Sequence, residues 1–355
     1  MERKERFITA MNCGQPDKVP FHDFLFSQPL FEEVLGRKVK TYNAVDAVEC
    51  ATKLGLDAIW IPTGGYAGYA PQFVGEDSYI DEWGTTYTTR SSSSWPIDAP
   101  TAYPVKNRED LRNWKAPEPG GKERTEPLRE AIACNKEKLA IIGGVLGPFT
   151  AATMIMGLEN LCVQIYDDPS LVEEFMKQAT DFSAQMAARL FEAGADVLSI
   201  SDDLGYSNDL FISPALMRKH VLPWVFQLVR DVKRHGDPVL LHCDGNINSI
   251  LEDIAACGID ALHPIERKAH MDLKEVKRQY GKKICPFGNV DVSTTLAYGT
   301  TEEIEEAVKE CLRIAAPGGG YVIGSDHSLS QGIPVRNALA FTEAIKKYRH
   351  YPITV

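Results

Sequence analysis

The chain has 355 residues, 44% of them apolar and 25% charged, with a formal net charge of −11. This is ordinary globular composition, and the negative surplus, with no block of Lys and Arg, argues against nucleic acid as a partner. No apolar run approaches the roughly 20 residues that cross a bilayer, and the opening "MERKERFITAMNCGQPDKVP" holds no apolar signal core, so a cytosolic protein without membrane association is expected. Eight cysteines stand apart along the chain with no CxxC pair, which predicts free thiols, most of them packed as small apolar side chains.

An N-terminal helical segment precedes the first strand candidate, "KVPFHDFLF" (18–26), which leads to a helix near Tyr42 to Leu54. "LDAIWIPT" (56–63) is the second strand. A long insertion follows, residues 64 to about 115, in which "YIDEWGTTYTTRSSSSWPI" (79–97) alternates like a β-hairpin and "APEPGGKERTEP" (116–127) then reads as a loop. Its Tyr66, Tyr69, Trp83, Tyr87 and Trp95 suit a lid or docking surface as well as a hairpin that merely caps the fold.

From residue 139 onward, short apolar runs alternate regularly with amphipathic helical stretches. The runs are "KLAIIGGV", "ADVLSIS", "PVLLHCDG", "IDALHPIE", "KICPFGNVD" and "GYVIGSDH". Strands followed by helices that often end in glycine are parallel βα units. Six such units and the two N-terminal strands predict an α/β protein of one domain over 1–355: a single (β/α)8 TIM barrel, with an open doubly wound sheet as the alternative.

In a barrel the chemistry sits where each strand gives way to polar residues at its C-terminal end. The fourth strand ends in Ser201-Asp202-Asp203, the fifth in His242-Cys243-Asp244, the sixth in His263 and Glu266, the seventh in Asn289 and Asp291, and the eighth in Ser325-Asp326-His327. Any one of these reads equally well as a helix cap or a backbone hydrogen-bond partner. Together around one mouth, carboxylates and imidazoles need a metal, a cation or a polar substrate to offset their burial. Side chains alternate along a strand, so His242 and Asp244 share a face while Cys243 packs on the other. With His327 across the axis they form an N/O/N set with an open position, the pattern of a catalytic zinc.

Several segments resemble the uroporphyrinogen decarboxylase superfamily: "GPFTAATMIMG" (147–157), "IYDDPSLVEEFM" (165–176), "HCDGN" (242–246), "DALHPIE" (260–266), "GNVD" (288–291), "GGGYVIGSDHSLSQGIPVRNALAFTEAIKKY" (318–348), and "PDKVPF" (16–21) ahead of the first strand. The resemblance implies a (β/α)8 barrel and includes both decarboxylases and corrinoid-dependent methyltransferases. The decarboxylases' arginine-rich segment after the first strand is missing from "FHDFLFSQPLFEEVLG", and their aspartate after the second strand falls at Thr63 or its neighbours in "IWIPTGGYAG". A many-carboxylate substrate would lack cationic partners.

The methyltransferase branch implies a zinc held by a His-x-Cys pair and a further cysteine; this chain has His242-x-Asp244 and His327 in those places. Replacing thiolates by carboxylate and imidazole gives a harder metal, suited to an oxygen-bearing substrate. The resemblance therefore implies a methyltransferase of O-demethylase type: zinc polarises a methyl ether while cob(I)alamin, carried by a separate corrinoid protein, takes the methyl group. On that reading Asp202, Asp203 and Glu266 are further ligands, groups that orient the ligands, or the proton donor, and Tyr66, Asn289 and Asp326 shape the substrate pocket. A homodimer is implied by the resemblance but by no surface patch in the sequence. The competing expectations are a metal-free decarboxylase or lyase on a smaller acid, a non-catalytic corrinoid or tetrapyrrole carrier, and methyl transfer in the opposite direction.

Overall fold

A computed structural model describes residues 1–62, 72–88, 95, 98–236 and 238–355. Its strands in chain order are β1 (Leu25–Phe26), β2 (Ala58–Ile61), β3 (Gln72–Phe73), β4 (Ser78–Ile80), β5 (Thr86–Thr88), β6 (Ala99–Ala102), β7 (Ala140–Leu146), β8 (Val197–Ser201), β9 (Val239–His242), β10 (Ala261–His263), β11 (Cys285–Pro286) and β12 (Leu329–Ser330). Six of them form one parallel sheet in the order β11-β10-β9-β8-β7-β2, and β1 pairs in parallel with β12. Single parallel bridges complete the ring: Phe287 with Val322, Val290 with Ser325, and Phe21 with Ile323. Asp57 N then donates to Phe21 O at 2.7 Å, tying the first strand to the second. The chain is a (β/α)8 barrel.

Alternation along these strands sorts the core into two layers. Ala58, Trp60, Ala140, Ile142, Val197, Leu240, Ala261, Phe287 and Val322 fill the barrel interior, and Phe7 and Met11 of the N-terminal helix Arg3–Met11 pack with them. The intervening residues, among them Ile59, Ile141, Leu198, Ile200 and Leu241, face the surrounding helices and meet Phe149, Phe175, Leu190 and Phe341. Each such side chain contributes about 1.5–3 kcal/mol by leaving water. Local signals place the helices. Asn43 accepts from Asp46 N at the start of Ala44–Leu54, whose left-handed stop is Gly55, and Thr300 and Glu303 close a capping box on Thr301–Ala315.

The insertion is an antiparallel sheet in the order β3-β4-β5-β6, with Tyr79 opposite Tyr87 in its central hairpin. Trp83 stacks on Trp114 and meets Phe182 edge-on at 4.6 Å. Arg124 grips Glu82 through two bonds of 2.8 and 2.6 Å. The insertion is thereby fastened to the long helix Pro169–Ala193. Tyr66 and Tyr69 lie outside the described residues. Among the described residues no helix is long and apolar enough to cross a membrane.

Candidate metal centre at the barrel mouth

β8, β9 and β10 run parallel in a register that sets Ser201 beside His242 and His242 beside His263, so three adjacent strand ends deliver their polar residues to one level. His242 and Asp244 both line a cavity of about 290 Å3, together with Asp203, His327, Ser201 and Thr150. Phe24, Phe26 and Trp60 form its other wall, and Phe24 stands edge-on to His242 at 5.2 Å. Among the described residues no Lys or Arg lines it. Cys243 is on the opposite face, 4% exposed in the outer core, where its sulfur accepts from Leu204 N at 3.4 Å.

Asp203, His242 and Asp244 each offer a ligand atom within 4.8 Å of the others. His242 Nε2 lies 3.4 Å from Asp244 Oδ2 and 4.0 Å from Asp203 Oδ1. His327 sits beside this set, its Nε2 3.1 Å from Asp244 Oδ2. The donors fit a divalent cation. Asp244 Oδ1 is buried with no hydrogen-bond partner, and two carboxylates packed this closely call for positive charge between them. Oxygen and imidazole donors without thiolate suit a hard or borderline metal such as zinc.

The electrostatics already favour separated charge at the site. Burial pushes the Asp244 carboxyl up, but His242 and His327 beside it prevail and hold it well below the usual carboxylate range. Burial pulls His327 down, yet Asp244 and then Glu266 outweigh it and raise the imidazole to about 9. His242 is likewise raised, against burial, by Asp244 and Asp203. Asp203 is raised by burial and by the charge of Asp244.

The other sequence candidates do different work. Asp202 is fully buried beneath the helix Pro148–Met156, where Oδ1 accepts from Thr150 N at 2.7 Å; burial raises it to about 7. Gly147 makes room for it, since a Cβ there would lie 2.2 Å from Asp202 Cγ. Thr150 Oγ1 accepts from Asp203 N at 2.8 Å, so one threonine sorts the two aspartates, one under the helix and one into the cavity. Glu266 Oε2 accepts from Gly245 N at 2.8 Å and steadies the turn after Asp244. Asn289 and Asp326, expected to shape the pocket, are each 1% exposed and do not line it. Asn289 donates to Ile265 O, and Asp326 accepts from Arg267 N and Val292 N. Each satisfies backbone groups that have no strand partner at irregular strand ends.

The aromatic wall was not among the expected features. The signal was present in "FHDFLF", where period two puts His22, Phe24 and Phe26 on one face. His263, a strand-end residue with no expected role, has its Nδ1 2.8 Å from His242 Nδ1.

Among known proteins, the methylcobamide:CoM methyltransferase MtaA of Methanosarcina barkeri is 29% identical over 229 residues, 63% of this chain and 64% of that protein. The methylated-thiol–coenzyme M methyltransferase of Methanosarcina mazei is 28% identical over 212 residues, 59% of this chain and 53% of that one. The matched stretch is thus under two thirds of the length of either methyltransferase. A uroporphyrinogen decarboxylase of Pseudoalteromonas atlantica is 26% identical over 259 residues, 69% of this chain and 70% of that protein. A solved methyltransferase from Methanosarcina mazei shares the fold across 98% of this chain and 99% of its own, with a TM-score of 0.73 at 24% identity. Residues 98–348, which carry β7 to β12 and every mouth residue from Asp202 to His327, match the uroporphyrinogen decarboxylase (URO-D) family, and the chain belongs to it.

Proposed function

We propose that the protein is a zinc-dependent methyltransferase that moves a methyl group from a methyl ether to the cob(I)alamin of a separate corrinoid protein. The observation that carries this reading is the thiolate-free donor set Asp203, His242 and Asp244 facing an aromatic-walled cavity. Asp203, His242 and Asp244 hold the metal. A zinc bound there supplies Lewis acidity to the ether oxygen and stabilises the departing alkoxide or phenoxide. Phe24, Phe26 and Trp60 bind the apolar body of the donor and exclude water. His327, whose Nε2 lies 3.1 Å from Asp244 Oδ2 at the rim of the cavity, is placed to give the leaving oxygen its proton from Nε2. The strand-end position and the resemblance made His327 an expected ligand; its position outside the cluster of Asp203, His242 and Asp244 favours this second role.

Decarboxylation of a many-carboxylate substrate is disfavoured because, among the described residues, no Lys or Arg lines the cavity to clamp several carboxylates. The test is metal content by mass spectrometry of protein purified without chelators, for wild type and His242→Ala. Methyl transfer from a methoxyarene to free cob(I)alamin is then followed by its absorption spectrum. About one zinc per chain, lost in the variant along with methylcobalamin formation, is the expected result. A protein that takes up no zinc when it is supplied defeats the reading.

A further inference from the structure

We propose that His263 is a positioning residue: its Nδ1 accepts a hydrogen bond from Nδ1–H of His242 and so keeps His242 Nε2, the atom that would meet a cation, turned toward Asp203 and Asp244. The proposal rests on the reading of those residues as a cation site. Strand pairing sets the two histidines side by side, β9 against β10, both facing the barrel interior. Their rings are tilted by 31° with centroids 4.9 Å apart, and the two Nδ1 atoms are 2.8 Å apart. Two lone pairs or two N–H groups would repel at that distance, so one proton lies between them and belongs to one ring.

The surroundings decide which ring. A cation held by Asp244 and Asp203 against Nε2 of His242 would take that nitrogen's lone pair and leave Nδ1 as the ring's N–H. His263 is 2% exposed, edge-on to Phe24 at 5.0 Å and to Phe287 at 6.3 Å. An apolar setting keeps an imidazole neutral, with one nitrogen as acceptor. His22, on the same interior face, shows the same habit: its Nδ1 is 3.2 Å from Ala58 O and must donate, which leaves Nε2 a buried acceptor without a partner. The proton therefore sits on Nδ1 of His242, and His263 carries its own on Nε2. A ligand histidine is ordinarily oriented by a carboxylate or carbonyl on its far nitrogen. Here a second imidazole takes that place.

The experiment combines two readouts. Long-range 1H–15N spectra of histidine-labelled protein, with and without zinc, report tautomers directly, using His242→Ala and His263→Asn for assignment. The expected result is His263 in the Nε2–H form in both states. Zinc affinity is measured by competition with a chromophoric chelator. His263→Leu is expected to weaken it by about 10- to 100-fold, and His263→Asn, whose amide oxygen restores an acceptor, to recover most of the loss. A His263 protonated on Nδ1 overturns the proposal, and so does a folded His263→Leu protein, with wild-type circular dichroism, that binds zinc as tightly as wild type. If wild type binds no zinc, the metal reading fails, while the tautomer of His263 still decides the hydrogen bond. Should His263→Leu fail to fold, the wild-type spectra remain decisive.

Discussion

The two ends of the barrel bury the same kinds of charged group and treat them oppositely. At the floor, Asp57 is fully buried and both its oxygens are taken: Oδ1 by Arg6 Nη1 at 2.6 Å, Oδ2 by Arg349 Nη1 at 2.5 Å and by Phe21 N at 2.9 Å. Asp17 holds the rest of Arg6. At the mouth, Asp244 shares one oxygen between two imidazoles and leaves the other without a hydrogen bond. A closed network gives a unique structure, whereas an open one leaves coordination positions for something that arrives later.

The contrast can be broken at its floor first. Asp57→Ala leaves the buried guanidinium of Arg349 without a carboxylate and takes one of the two carboxylates from Arg6, and is expected to cost about 3–5 kcal/mol in urea unfolding. If the variant still folds, its zinc affinity should be that of wild type, because the network lies at the opposite end of the strands. Asp244→Asn should do the reverse. Zinc affinity by chelator competition falls by more than about 100-fold, beyond what losing an orienting partner alone does, while the urea midpoint moves far less than in Asp57→Ala.

The pH dependence sharpens the comparison. His327 is raised from 6.5 to about 9 in the folded metal-free protein, so its contribution to stability is complete below about 6.5 and is lost as pH rises through about 9. Buried acids raised to about 7, such as Asp23 and Asp202, add slopes of their own at lower pH. The difference between wild type and His327→Gln from above about pH 7 to 9 therefore reports mainly the histidine, and a flat difference there would contradict the raised value. The smallest effect is reserved for the neighbour on the other face. Cys243→Ala should cost about 1 kcal/mol of packing and leave zinc content unchanged; loss of zinc would show that the strand's alternation misassigns the ligands.

What the sequence disclosed depended on periodicity. The strands from β7 to β10 stood out as apolar runs, and the period of two separated His242 and Asp244 from Cys243, as their placement in the cavity and in the outer core shows. The outermost strands were less distinct. β1 and β11 shrink to two residues each, and the eighth barrel position is held by single bridges, because glycines and prolines interrupt their ladders. Within the site, composition marked acids at strand ends but could not say which oxygen faces inward. Asp202 and Asp203 are adjacent, and only the helix that starts at Pro148, with Thr150 in its first turn, assigns one to the helix and the other to the cavity. Asn289 and Asp326 were misjudged for the same reason, since irregular backbone that needs capping leaves no periodic trace.

The links that shut the ring carry a consequence for how the protein comes into being. Asp23 accepts from Ser325 across 302 residues of chain, and Arg349 reaches Asp57 across 292. A ribosome releases Arg6, Asp57 and the whole first half long before the segment that holds His327 and Arg349. Until that last stretch emerges, the floor lacks one of its two guanidinium groups and the mouth lacks an imidazole. On the proposed function the metal's holders, Asp203, His242 and Asp244, are made earlier, but the barrel that brings their strand ends together closes only with this last stretch. Metal loading therefore follows completion of the chain, and a protein truncated shortly before residue 325 should neither fold nor bind zinc tightly.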